Sequence, residues 1–243
     1  MKLKMMSFAM ASSPFTHSTF KDISKAPKGS IAITPLTGVI MKDNFCGAPG
    51  TDTLSSWMQE ADQSSNIIGH ILNINSPGGS PDGAIGFSES IKSLNKPVVT
   101  FVDGMMASTA YWCGSGAKHI MAANPINEIG SIGTYFSMQD DTQANEMAGL
   151  KDITVYATQS TEKNIDVRQA IAGNIQPLQA RVDRYNDAFL GGVTRNRYGK
   201  GLNKEQTLKG QLMMTPEAIQ NGLIDSMGSF QDAINKVIQL TNK

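Results

Sequence analysis

Cysteine is scarce in this chain of 243 residues: Cys46 and Cys113 are the only two. They cannot build a disulfide framework, and a reducing compartment is the simpler expectation. Charge of one sign is not in excess either, with 21 basic and 21 acidic residues. No electrostatic footprint for nucleic acid or an anionic membrane surface is therefore present. Nowhere does an uncharged apolar run reach the ~18 residues that would suggest a transmembrane helix. The opening "MKLKMMSFAMASSPF" carries two lysines and a weakly apolar stretch, but serines break it before it makes the apolar segment of a signal peptide. A soluble, cytoplasmic protein is the expectation. Histidine is equally sparse (His17, His70 and His119), which limits the bases available for catalysis.

What is present is an alternation of two patterns. Residues 1–29, rich in Ser, Lys and Pro, are expected to form a flexible arm, and 30–243 a single domain. "SIAITPLTGVI" (30–40), "NIIGHILNI" (66–74) and "KPVVTFVDG" (96–104) are β-branched or continuously apolar, as strands covered on both faces are. Between them, Leu54, Trp57, Met58 and Ala61 fall on one helical face, and "AIGFSESIKSL" (84–94) reads as a second helix. Shorter apolar pieces follow at 118–123 and 132–138, then a helix near 139–149 and a strand at "DITVYAT" (152–158). An apolar stripe from Ile171 to Val193 predicts a long amphipathic helix, with a kink or fresh start at Pro177. Strands alternating with helices imply an α/β fold with right-handed crossovers and a helical C-terminal part.

Two turns carry the chemistry. "NSPGGS" (75–80) ends one strand and precedes a helix, so its free N–H groups can hold an anionic oxygen; taken alone it is equally a tight βα turn. Ser108, in "DGMMASTAYW", sits one βα unit later, and consecutive βα turns of a parallel sheet emerge along one edge. The two turns then face each other, pairing a hydroxyl with backbone donors as acyl transfer requires. Small residues around Ser108 also suit close helix packing. A serine needs a base. His70 lies in a buried strand, His119 is expected to point away from the turn, and His17 lies in the arm, which disfavours a Ser-His-Asp triad. A desolvated lysine can serve instead: Lys163, after the 152–158 segment, is a candidate if its loop returns over the cleft and an ordinary solvated loop lysine if it does not, with Lys151 as the alternative.

Together with "IMAANPINEIGSIGTY" and "MMTPEAIQNGLIDSMGSFQDAI", these segments resemble the signal-peptide-peptidase A family of Ser–Lys peptidases, which includes phage head-maturation proteases. The resemblance implies a Clp protease/crotonase-like fold of repeated β-β-α units. It implies Ser108 as nucleophile, Lys163 as general base, and the amides of Gly79 and Thr109 as the oxyanion hole, with Gly78 and Ser131 in support. It implies no metal or cofactor, a polypeptide substrate (capsid or scaffold proteins, or signal peptides) and a homo-oligomer. A phage or prophage capsid-assembly protease is the leading expectation. A bacterial signal-peptide peptidase and an inactive peptide-binding or scaffold member of the fold are the alternatives. Thr109 and Ala110 stand where the family has two glycines, with side chains of a size to narrow the cleft. A crotonase-type acyl-CoA enzyme would need a carboxylate pair aimed at a thioester, and the sequence places none there.

Overall fold

The computed structural model describes residues 5–7, 23–151 and 153–242. His17 and most of the expected arm lie outside the described residues. The strands are β1 (Met5–Ser7), β2 (Ser30–Ile40), β3 (Ile67–Gly79), β4 (Val98–Ala107), β5 (His119–Ala122), β6 (Glu128–Gly130), β7 (Leu212–Met214) and β8 (Ser226–Met227). The helices are α1 (Thr51–Gln63), α2 (Ala84–Ser93), α3 (Thr109–Gly114), α4 (Thr142–Met147), α5 (Ile165–Ile171), α6 (Gln176–Asn196), α7 (Lys204–Thr207), α8 (Thr215–Gln220) and α9 (Phe230–Thr241).

The described chain forms two compact units, one of residues up to Gly133 plus Phe189 onward, the other Thr134–Ala188. In the first, the strands run β1-β2-β3-β4-β5-β8, all parallel, and β6 adds to the upper end of β4 in parallel. Among the described strands, only β6 and β7 pair antiparallel. Strand side chains alternate between two cores, which is why the sequence reads as continuous apolar runs. Leu72, Ile74, Val98 and Val102 pack with Leu54, Met58, Phe87 and Ile91 of α1 and α2. Ile71, Val99 and Phe101 pack on the opposite face with Ala233, Ile234 and Val237 of α9. Gly69 admits that helix closely: a Cβ there would lie 2.5 Å from Val237 Cγ1. Ile23 and Ala26 join Ala32, Ala61 and Ile67 in a third cluster.

Below the sheet's upper edge, the buried side chains of Asp62 and Arg197 are paired. Asp62 accepts from the N–H groups of Asn95 and Lys96, each at 3.0 Å, and faces His70 Nε2 at 3.3 Å. Asp225 takes a two-pronged contact from the buried Arg197 guanidinium at 3.1 and 3.2 Å and an N–H from Ile120 at 2.7 Å. Phe189 of α6 stacks on Trp112, ring centres 4.9 Å apart.

The second unit holds α4, α5 and the first half of α6. Here one expectation is corrected and another, the fresh start at Pro177, is met. Residues 153–157 carry no strand: Ile153 and Val155 have β-branched side chains but no ladder partner among the described residues, and they are 78% and 88% exposed. The stripe beginning at Ile171 is two helices, α6 starting afresh with Pro177 in its first turn, where a missing N–H costs nothing. In the first unit, β6 is a short strand that the apolar pattern did not mark, Glu128–Gly130 meeting Met105–Ala107.

Candidate active site

The site is built where β3 and β4 stop pairing. Ile74 faces Val102, but the next matched pair is Ser76 with Met106, so β4 carries extra residues there. Gly104 (φ 122°) forms this bulge. Its Cα packs on the Asn75 amide, Asn75 Oδ1 accepts from Met105 N–H at 3.3 Å, and Asn127 Nδ2 donates to the Gly104 carbonyl at 3.0 Å. Bulges of this kind re-aim the strand that follows.

β4 then ends in a sharp elbow. Ser108 has φ 53° and ψ −125°, backbone angles that cost a non-glycine residue about 1–3 kcal/mol and persist only where the surroundings impose them. They are imposed here. Ser108 N–H donates to Gly130 O at 2.8 Å, its carbonyl accepts Trp112 N–H at 3.2 Å, and Gly78 is pressed against it. A Cβ on Gly78 (φ 104°) would lie 2.7 Å from Ser108 Cβ and 3.0 Å from Thr109 N, so only glycine fits. A Cβ on Gly79 would lie 2.2 Å from Ile40 O.

Ser131 comes next to Ser108 by register. Ala107 pairs with Gly130, so the two serines leave neighbouring strands side by side, and Ser131 also has positive φ, 49°. Ser131 N–H donates to Gln211 O at 2.7 Å, anchoring it to the segment before β7. Ser108, Ser131, Gly78, Gly79 and Thr109 are thus gathered at one sheet edge within the first unit. Thr109 and Ala110 are buried, and Thr109 Oγ1 donates to the Gly79 carbonyl at 2.9 Å. The expectation that these side chains narrow the cleft is therefore corrected: they point inward, into packing and a hydrogen bond.

His70 and His119 are excluded by register. His70 pairs with Val98 and His119 with Val99, at the foot of β4, and Ala107 lies roughly 26 Å further along the strand at about 3.3 Å per residue. His70 faces Asp62, and His119 Nε2 meets Ser226 Oγ at 2.8 Å. Burial holds both imidazoles below the ordinary histidine range, outweighing the pull of Asp62 and Asp225.

Lys163 belongs to the second unit, where it is exposed on a turn. Ser160 N–H donates to Ala157 O at 2.8 Å, Lys163 N–H to Ser160 O at 3.3 Å, and Ile165 N–H to Glu162 O at 3.2 Å. Asn164, left-handed at φ 55°, turns the chain into α5. Arg168 fastens this turn: its guanidinium donates to Thr161 O at 2.5 Å and lies 4.7 Å from the centre of the Tyr156 ring. Asp166, one turn away, is paired with Arg181 of α6 at 2.8 Å. Lys151 is also exposed.

Sequence reasoning passed over Ser76 and Arg168. Ser76 left a signal: strand alternation sets it on the buried face with Leu72 and Ile74, where a hydroxyl must find partners. It donates to Gly38 O at 2.6 Å and accepts from Gly78 N–H at 3.1 Å. Arg168 left none, because its partner is a backbone carbonyl.

The profile of Peptidase family S49 matches residues 90–243, a span that includes Ser108, Ser131 and Lys163. The chain belongs to Peptidase family S49. It is 30% identical over 199 residues to Protease 4 of Haemophilus influenzae, covering 80% of this chain and 32% of that protein. It is 26% identical over 220 residues to the head-tail preconnector protein GP5 of Enterobacteria phage P21, covering 87% of this chain and 43% of that one. The chain spans about a third of the length of the Protease 4 it matches. Among solved structures, the membrane-bound stomatin-specific protease 1510-N superposes with a TM-score of 0.54 at 16% identity, over 86% of this chain and 84% of that one. ClpP1 from Listeria monocytogenes superposes at 0.52 and 15% identity, over 83% and 94%. The fold is Clp protease/crotonase-like. No described helix is long and apolar enough to cross a membrane.

Proposed function

We propose that the chain is a serine endopeptidase working through a Ser108–Lys163 dyad. The observation that carries this reading is the strained Ser108 elbow packed on Gly78, a cost that catalysis explains and packing does not. Ser108 Oγ attacks the scissile carbonyl carbon while the amine of Lys163 accepts the hydroxyl proton. The carbonyl oxygen takes up the negative charge between the amides of Gly79 and Thr109. Collapse expels the amine of the leaving segment, which receives the proton from Lys163, and an ester remains on Ser108. Water, giving a proton to Lys163, attacks that ester; Lys163 returns the proton to Ser108 Oγ as the ester bond breaks, and the carboxylate is released. Ser131, beside Ser108, orients the lysine amine.

The substrate class is polypeptide, and likeness to a phage preconnector protein over most of the chain favours coat or scaffold proteins during capsid assembly. Likeness to Protease 4, and to a putative signal peptide peptidase SppA of Enterococcus faecium, supports the second reading, a cellular peptidase that degrades signal peptides. Self-association belongs to the same proposal, supported by exposed Tyr135, Met147 and Val155 in the second unit.

Wild-type protein and Ser108→Ala are compared for cleavage of a fluorogenic peptide library and for labelling by a fluorophosphonate. Cleavage and a label on Ser108 are expected in wild type, with loss of both in Ser108→Ala and Lys163→Ala. Equal turnover by Ser108→Ala sinks the peptidase reading. Loss in Lys151→Ala with activity kept in Lys163→Ala reassigns the base. Co-expression with phage coat and scaffold proteins, against secreted precursor proteins, separates the two substrate readings by which set is trimmed.

A further inference from the structure

Two side-chain hydroxyls bracket the peptide bond that bears the Gly79 amide. Ser80 N–H donates to Ile40 O at 2.8 Å. In a parallel ladder that bond turns the preceding residue's own N–H and C=O to the strand's other side, here the side of β4 and Ser108. The Gly79 carbonyl meets Thr109 Oγ1 there at 2.9 Å. The peptide joining Gly79 to Ser80 is thereby held at both its N–H and its C=O. One step earlier, Ser76 Oγ, fully buried, accepts Gly78 N–H at 3.1 Å and is itself fixed to Gly38 O at 2.6 Å. Between these two pinned peptides lies Gly78–Gly79, whose flanking glycines have φ of 104° and 159°. Glycine moves freely between positive and negative φ, so an unrestrained Gly-Gly peptide can flip and turn its N–H away from the cleft.

We propose that Thr109 and Ser76 are positioning residues that lock the Gly78–Gly79 peptide, so that the Gly79 N–H is aimed before substrate arrives. Thr109 then has two separable parts: its backbone N–H faces the developing oxyanion, and its side chain holds the opposite turn in place. This rests on the Ser108 peptidase reading. It also gives a physical reason for threonine at a position where the family has glycine, since a glycine there leaves the Gly79 carbonyl without its donor.

The test uses the full chain, a fluorophosphonate probe, and a matched pair of tripeptides ending in an aldehyde and in the corresponding alcohol. The aldehyde forms a hemiacetal with Ser108 whose oxygen enters the oxyanion hole; the alcohol binds without that charge. Thr109→Val removes the hydroxyl and keeps shape and backbone N–H, whereas Thr109→Ser keeps the hydroxyl. Thr109→Val is expected to label about 10- to 100-fold more slowly, below the roughly 10²–10³-fold cost of losing an oxyanion donor outright. Its aldehyde affinity falls by a similar factor with alcohol affinity unchanged, and Thr109→Ser stays within about threefold of wild type. Should Thr109→Val fail to fold, Ser76→Ala carries the same expectation. Equal losses in Thr109→Val and Thr109→Ser, or parallel losses for aldehyde and alcohol, overturn the positioning role and leave the peptidase reading standing. So does wild-type labelling in Thr109→Val and Ser76→Ala together with no label in Ser108→Ala. Absence of any label on Ser108 in wild type removes the peptidase reading and this inference with it.

Discussion

Ser108 stores strain that a smaller residue would release. Ser108→Gly relieves the φ 53°, ψ −125° backbone at some cost in unfolded-chain entropy, and a net gain of about 1 kcal/mol is expected, read as a raised thermal midpoint together with loss of the proposed peptidase activity. Gly78→Ala acts in the opposite direction. Its methyl collides with Ser108 Cβ and the Ala107 carbonyl, so both stability and fluorophosphonate labelling fall, the label by at least about a hundredfold on the usual sensitivity of catalytic geometry. The two thiols also separate at this scale. Cys46 is exposed, whereas burial pushes the Cys113 thiol up to about 12. A maleimide is expected to modify Cys46 within minutes and Cys113 only after denaturation, as counted by mass spectrometry. Ser108 was legible as a candidate because it follows "NSPGGS" by one βα unit, which sets the two turns along one sheet edge. Ser76 and Thr109 were not read as positioning groups, since hydrogen bonds to Gly38 O and Gly79 O reach across the chain and leave no spacing to detect.

At the scale of elements, strands covered on both faces were the easiest to read. β2 begins and ends at the residues its composition marks, and α2 falls within one residue of the expected span. The failures share a cause. β6 is three residues long and exists because the end of β4 offers it a partner, while residues 153–157 have strand-like side chains and no such partner. Pairing decides short strands, and pairing is non-local. The turn before α5 depends in turn on one guanidinium. Arg168→Ala removes the donor to Thr161 O and the contact with Tyr156, and amide exchange across Ser160–Ile165 is expected to accelerate about tenfold with the exchange of β3 and β4 unchanged. Arg168→Lys restores part of the protection if the ring contact matters; faster exchange spread through β3 and β4 would mean a global effect instead.

For the whole molecule, acid is the weak direction, and the sign follows from two groups at the foot of the sheet. Burial holds His70 below its unfolded value, against the opposing pull of Asp62, so the stability tied to its neutral form is whole above about pH 6.5 and declines as pH drops below it. Burial opposes the charge of Asp62, but the amides of Asn95 and Lys96 outweigh it and hold the carboxyl below 3.8, adding a second loss as pH falls through that region. Thermal midpoints measured from pH 8 to pH 3 should fall in these two stages. His70→Gln should flatten the upper one; an unchanged profile in that variant would remove His70 from the account. The α/β class and the meeting of two turns at one edge followed from apolar runs alternating with amphipathic segments. The division into two units did not, because no change of composition marks Gly133 or Phe189.

The face of the sheet formed by Ile71, Val99 and Phe101 is covered by α9, whose sequence comes more than a hundred residues after those strands. During synthesis the front of the sheet can close as soon as α1 and α2 have emerged, while the back stays bare and sticky until the ribosome delivers Phe230–Thr241. Nascent chains paused before that helix are therefore the form most in need of a chaperone, and the elbow at Ser108 stands on a half-clad scaffold until α9 arrives.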